Sequence, residues 1–237
     1  MESVKSLSAV RPRHADMMIK VCGNCDPRNI ESVSALTPML MGFIFYDGSP
    51  RSACGLDPEV VRSLPEYIRP VGVFVNASYD YIMATCGRYG FKIVQLHGDE
   101  DPQQCRRLRN SGLVVIKAIG VDDDLQWDSL VPYDGAVDMF LFDTRTKARG
   151  GSGRKFRWRR LSDYHLNIPY MLSGGIGPDD IDRIVSAMRP GMVGIDINSR
   201  FETAPGVKDV TLLTRFIVSL RKFNEDESIA IPFWEKR

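Results

Sequence analysis

Short runs of apolar, largely β-branched residues recur along the chain, with amphipathic stretches between them. The runs are Met18 to Cys22, Leu40 to Phe45, Val71 to Val75, Lys92 to His97, Val114 to Ile119, Asp138 to Asp143, Pro169 to Ser173 and Met192 to Ile197. Unbroken apolar runs of this length mark strands buried on both faces, as in a parallel sheet, and the stretches between them read as crossover helices. Helix starts are legible at Asp26-Pro27, Asp57-Pro58, Asp101-Pro102 and Pro178-Asp179, where an acidic or polar cap sits beside a proline near the first turn. Successive runs begin about 20 to 30 residues apart, the size of a strand–helix–strand unit. Eight such units predict an α/β fold, a single (β/α)8 barrel with a parallel eight-stranded core. The 237 residues suit that architecture, which takes roughly 250. No internal repeat, low-complexity segment or linker divides the chain, so 1–237 reads as one barrel domain with an N-terminal extension at 1–16 and a C-terminal tail at 224–237.

In such a barrel the chemistry belongs where the strands end, because eight loops converge there on one mouth. Taken in order, the exits carry Cys22-Gly23-Asn24, Tyr46 through Arg51, Asn76, His97-Gly98-Asp99, Gly120, Asp143-Thr144, Ser173-Gly174-Gly175 and Asn198-Ser199. The glycines at Gly174 and Gly175 let backbone N–H groups approach an anion, and Asp196, Asn198 and Ser199 leave the neighbouring strand. The exits of strands seven and eight are the usual phosphate site of these barrels, which predicts a phosphorylated small-molecule substrate. The bland alternative is that these glycines only make tight turns. The stretch from Thr144 to Lys155 is rich in glycine and basic residues, and a loop of that length inside a compact domain is more often functional than accidental.

Two side chains suit proton transfer. Cys22 closes the first strand and is followed by glycine; a thiol becomes a base where cationic neighbours favour the thiolate, although a cysteine also serves as a small buried hydrophobe. Asp143 closes the run Met139-Phe140-Leu141-Phe142, where a carboxyl is suited to hold a proton for delivery; the bland alternative is a cap for the next loop or an ion pair with Arg145 or Lys147. Arg51 can clamp a carboxylate with its planar fork, and His97 suits a substrate contact or a structural role.

Composition then narrows the partners. A net charge of +1 gives no electrostatic reason to expect nucleic acid or an anionic membrane. No run approaches the roughly 18 apolar residues of a membrane span, and Met1 to Asp16 lacks the apolar core of an export signal. The five cysteines are odd in number and scattered, which favours reduced thiols and a cytoplasmic protein. Cys22 and Cys25 form a C-x-x-C, but the second pair that a zinc site needs is absent.

The segments IKVCGN, MGFIFYDGSPR, VGVFVN, VQLHGDE, VIKAIGV, FLFDT followed by GGSGRKFRW, LSGGI, and DINSRFETAPGVKD resemble, in order and spacing, the phosphoribosylanthranilate isomerases from about Ile19 to Phe223. The resemblance implies an Amadori rearrangement in tryptophan biosynthesis with no metal or organic cofactor, carried out by a monomer or homodimer. It implies Cys22 as general base, Asp143 as general acid and Arg51 on the anthranilate carboxylate. The loops after strands seven and eight, with Gly151 and Ser152, would then enclose the phosphate. The chain departs from the family pattern after strand eight, where Ile197-Asn198-Ser199-Arg200-Phe201-Glu202 replaces a Val-Ser-Ser-Gly-Val-Glu type run, so Arg200 stands in place of a glycine. Another phosphate-binding barrel enzyme would call for a Lys/Glu pair or two aspartates at strand ends. A non-catalytic metabolite-binding barrel would need no acid–base pair at all.

Overall fold

The computed structural model describes residues 17–144 and 158–222. The extension, the tail and the loop with Gly151 and Ser152 lie outside the described residues. Eight parallel strands follow one another around a closed barrel: β1 Met18–Val21, β2 Leu40–Phe45, β3 Arg69–Phe74, β4 Ile93–Leu96, β5 Val114–Val121, β6 Met139–Thr144, β7 Tyr170–Leu172 and β8 Met192–Ile197. Closure is made by β8 on β1, in register from Met18 opposite Gly194 to Val21 opposite Ile197. A two-stranded antiparallel hairpin, β9 Glu202–Ala204 and β10 Val207–Lys208, follows β8.

The strands read as apolar runs because both their faces are buried. Alternate residues point inward, and Met18, Leu40, Val71, Val73, Ile93, Ile116, Met139, Leu141 and Met171 pack in one cluster. Their neighbours in sequence, among them Ile19, Val21, Met41, Phe43, Val94, Phe140 and Leu172, join the larger cluster beneath the helices. Each such side chain removed from water stabilises the fold by about 1.5 to 3 kcal/mol before chain entropy is subtracted.

The helices are α1 Pro27–Ser34, α2 Pro58–Arg62, α3 Tyr79–Tyr89, α4 Pro102–Asn110, α5 Ile181–Ala187 and α6 Val210–Lys222. The aspartate before each of the first two prolines, and that before Pro102, caps its helix by accepting a backbone N–H, from Asn29, Glu59 and Gln104 respectively. The fourth expected start is displaced. Pro178 and Asp179 form a turn, and α5 begins at Ile181 because the Asp180 carboxylate folds back to accept from the Gly177 N–H at 2.7 Å. The crossover from β5 to β6 is a 3-10 helix, Trp127–Tyr133, with Pro132 inside it, and a second, Trp158–Asp163, precedes β7. Aromatic rings take over the outer layer here: Trp127, Phe142, Tyr164 and Tyr170 pack with centroids 4.9 to 5.3 Å apart. Among the described residues no helix is long and apolar enough to cross a membrane.

The β4 exit is held from behind by a buried ion pair. The Glu100 carboxylate accepts the backbone N–H groups of Asn76 at 2.8 Å and Gly98 at 2.9 Å, and Lys117 Nζ at 3.2 Å. Lys117 also donates to the Gly98 carbonyl at 2.8 Å. Replacing Lys117 with methionine strands a carboxylate that water does not reach, and we expect a loss of about 3 to 5 kcal/mol in folding stability. Urea unfolding measures it; Lys117→Met combined with Glu100→Gln should recover part of the loss, and equal stability of the single variant and the parent would show that the pair is not what holds this exit.

Candidate active site

Cys22 sits one residue past β1 with its N–H donating to the Ile197 carbonyl at 2.9 Å, which ties the thiol to the end of β8. Asn24 locks the turn that follows, its side-chain amide donating to the carbonyls of Val21 at 2.8 Å and Gly42 at 3.0 Å. Gly23 takes the left-handed conformation, φ 77°, that glycine adopts without cost. Glycine is also required at position 42. A Cβ there would stand 2.7 Å from Cys22 Sγ and 3.0 Å from Lys20 Nζ, so the missing methyl is the notch in which thiol and ammonium meet.

Lys20 is fully buried and donates to Asp196 at 2.8 Å. Burial works to depress its pKa, but the Asp196 carboxylate and the Cys22 sulfur outweigh it, and the ammonium is held above the usual lysine range. The other Asp196 oxygen accepts from Ser173 Oγ at 3.3 Å. Asp196 and Ser173 therefore spend their polar atoms inside the barrel, one layer below the mouth. Burial pushes the Cys22 thiol above the ordinary thiol range; Lys20 and Lys208 oppose that shift and Asp196 adds to it. The expected cationic neighbours are present, but burial wins.

Across the mouth Asp143 lies at the end of β6 with its side chain about one-third exposed, 29%. One carboxylate oxygen accepts the Thr144 N–H at 2.7 Å and the other is 3.4 Å from His97 Nε2. His97 Nδ1 lies 2.9 Å from the side-chain amide of the buried Gln95. His97 thus belongs beside the carboxyl group.

The Gly174 and Gly175 residues follow β7 with φ of 89° and 70°, and their N–H groups donate to no protein acceptor among the described residues. A Cβ on Gly174 would fall 2.7 Å from the Thr144 nitrogen and 3.0 Å from Asp143 Oδ1, so this loop runs directly against the β6 exit. Ser199 and Arg200 are exposed in a short 3-10 turn.

Arg51 arrives on a loop that returns along β2, where the Ala53 N–H donates to the Ile44 carbonyl at 2.7 Å. Its guanidinium meets Glu202, through Nε at 2.9 and 3.0 Å and Nη2 at 2.7 Å. Lys208 Nζ donates to the same carboxylate at 2.6 Å and to Asn198 Oδ1 at 2.6 Å. Burial alone would raise the pKa of Glu202, but hydrogen bonds from Arg51 and Lys208 hold it below the usual carboxylate range, while burial keeps Lys208 below the usual lysine range. Cys25 stands apart as a free thiol facing the Gly206 carbonyl at 3.8 Å. Among the described residues no group of three or more His, Cys, Asp or Glu could hold a metal ion.

A thiol over a buried ammonium, a carboxyl group at the end of another strand, a guanidinium, and N–H groups with no acceptor among the described residues lie at one barrel mouth and suit acid–base chemistry on an anionic ligand. The family model described as N-(5'phosphoribosyl)anthranilate (PRA) isomerase matches residues 19–219. The chain belongs to the phosphoribosylanthranilate isomerase family. Among curated relatives, the N-(5'-phosphoribosyl)anthranilate isomerase of Parabacteroides distasonis is 41% identical over 203 residues, covering 85% of this chain and 92% of the relative. That of Phocaeicola vulgatus is 40% identical, covering 87% and 98%. The solved isomerase from Thermotoga maritima superimposes with a TM-score of 0.77 at 28% identity, covering 87% of this chain and 99% of that one. Another solved isomerase, 27% identical with a TM-score of 0.71 and the same coverages, holds reduced 1-(o-carboxyphenylamino)-1-deoxyribulose 5-phosphate.

Three residues of the isomerase mouth were not singled out from sequence: Lys20, Glu202 and Lys208. Lys20 had a signal, since the period of two that turns Cys22 inward turns Lys20 inward as well. Removal of that ammonium, as in Lys20→Met, leaves burial and Asp196 both acting against the thiolate. The Cys22 ionisation should move to higher pH. Iodoacetamide labelling of Cys22 across pH, resolved by peptide mass, follows it; an unmoved profile would detach Lys20 from the thiol.

Proposed function

We propose that the chain converts N-(5-phosphoribosyl)anthranilate to 1-(2-carboxyphenylamino)-1-deoxyribulose 5-phosphate, with Asp143 as general acid and Cys22 as general base. The observation that supports this reading most directly is the placement of a carboxyl group and a thiol at the ends of two strands of one barrel, with Arg51 and the Gly174-Gly175 loop at the same mouth.

The chemistry follows from those groups. Asp143 gives its proton to the furanose ring oxygen, the bond from C1 to that oxygen breaks, and the anthranilate nitrogen lone pair forms the C1=N bond of a protonated Schiff base. The Cys22 thiolate takes the C2 proton; the released pair forms C1=C2 and the imine electrons return to nitrogen. The resulting enolamine loses its C2 hydroxyl proton and gains one at C1, giving the ketone. Protons and electrons balance within the substrate, so the step is an internal aldose–ketose oxidoreduction. Arg51 binds the anthranilate carboxylate through its Nη1–Nη2 edge, since Glu202 occupies the Nε–Nη2 edge. The N–H groups of Gly174 and Gly175, with Ser199 and the loop at Gly151 and Ser152, take the phosphate.

Base, acid and clamp all lie on one chain, so a monomer or a homodimer can do this chemistry; the Thermotoga maritima relative is dimeric and has been studied as monomers. Free thiols at Cys22 and Cys25 suit the reducing cytoplasm.

Cys22→Ser and Asp143→Asn should each lower kcat by about 10² to 10⁴-fold with substrate binding retained. Arg51→Ala should act chiefly on KM. Because burial raises the Cys22 thiol, kcat/KM should fall as pH drops below the thiol's own pKa and level off above it. A fluorescence assay of substrate loss, coupled to the next enzyme of the pathway, reads all of these, and near-parental turnover in either catalytic variant would remove that residue from the mechanism.

A further inference from the structure

We propose that Asn198 is the second arm of the carboxylate clamp, a donor that pairs with Arg51 to select a substrate carrying a carboxylate on its aromatic ring; the proposal rests on the isomerase reading above. Asn198 follows β8 where the phosphate-side exits begin, yet its side chain leans the other way. A Cβ on Gly23 would stand 2.7 Å from Asn198 Oδ1, 3.1 Å from its Nδ2 and 2.9 Å from Arg51 Cδ. The amide and the arginine stem therefore converge over the Gly23 backbone, next to Cys22.

The orientation of the amide is settled by chemistry. Lys208 Nζ lies 2.6 Å from one end of it, and an ammonium only donates, so that end is the carbonyl oxygen. Lys208 is itself fixed by Glu202 at 2.6 Å, and Glu202 by Arg51. The chain Arg51–Glu202–Lys208–Asn198 fixes both side chains and leaves Asn198 Nδ2 as a donor with no protein acceptor among the described residues. A fixed N–H2 group on a side chain that meets the arginine stem over Gly23, together with the guanidinium edge that Glu202 leaves open, complements an anion with two oxygens. A hydroxyl would satisfy one of the two donors and leave the other desolvated.

The test compares two ligands on the intact protein by titration calorimetry. One is reduced 1-(o-carboxyphenylamino)-1-deoxyribulose 5-phosphate, the compound held by a solved relative; the other is the same molecule without the ring carboxylate. Asn198→Ala removes the donor, and Asn198→Asp keeps the acceptor for Lys208 while turning the donor into an anion. For the carboxylated ligand we expect about 10-fold weaker binding with alanine and about 100-fold with aspartate, the scale of a hydrogen bond to a charged group lost or reversed. Affinity for the ligand lacking the carboxylate should stay within about twofold in both variants, and that binding also shows that each variant is folded. Equal losses on the two ligands would assign Asn198 to the sugar and overturn the proposal, as would no loss on either. If the parent protein bound neither ligand, the isomerase reading itself would fail and the clamp with it.

Discussion

The site depends on the buried pairing of Lys20 with Asp196. An ammonium inside a barrel of methionine, leucine, isoleucine and valine side chains loses its hydration, a cost of several kcal/mol that only a well-placed counter-charge offsets. Asp196 stands directly across the β1–β8 seam, opposite Lys20 in register, so closure of the barrel and neutralisation of the charge occur at the same place. Gly42 follows from that pair, since any side chain there would displace either the ammonium or the sulfur. Cys22 in turn feels a cation that water does not screen. The polar residues of the interior form a stack whose lower part, Lys20 with Asp196, carries the charge balance and whose upper part is the Cys22 thiol.

The mouth has a second ring of charge, supplied after the barrel has closed. Glu202 and Lys208 come from the hairpin that follows β8, and they hold Arg51 and Asn198 in place. A long guanidinium on a loop would otherwise pay in rotamer entropy for each binding event. With Glu202 gripping one edge, the other edge is already aimed. The two systems share Cys22 as their meeting point, since both Lys20 and Lys208 act on its sulfur.

Much of this was legible from residue order. The apolar runs mark all eight strands, β2 and β8 to the residue, because a strand buried on both faces leaves an unmistakable run. β5 extends two residues beyond its apolar run, since Gly120 and Val121 still pair with Asp143 and Thr144. The crossover helices were less legible around β6: aromatic packing fills the layer there, and aromatic side chains mark burial without marking periodicity. Within the site, residues at strand exits could be read because position alone makes them candidates. Glu202 and Lys208 could not, because their relevance comes from a hairpin that bends them back over the mouth, and nothing in a charged residue on a short strand announces its partner. Lys20 was passed over for the opposite reason: a single charge inside an apolar run reads as a strand edge until its counter-charge, 176 residues away, is known.

Gly174 gives the molecule a joint between recognition and reaction. Any side chain there would run into the Thr144 nitrogen and the Asp143 carboxylate, so the loop proposed to take the phosphate and the group proposed as the acid are packed against each other with no room between them. Under the proposed assignment, a phosphate anchored on that loop would bear on the acid at the near end, several bonds from any atom it touches. Substrates cut short at the phosphate would meet an acid still chemically intact but free to wander, and their handicap would be felt in geometry rather than in affinity alone.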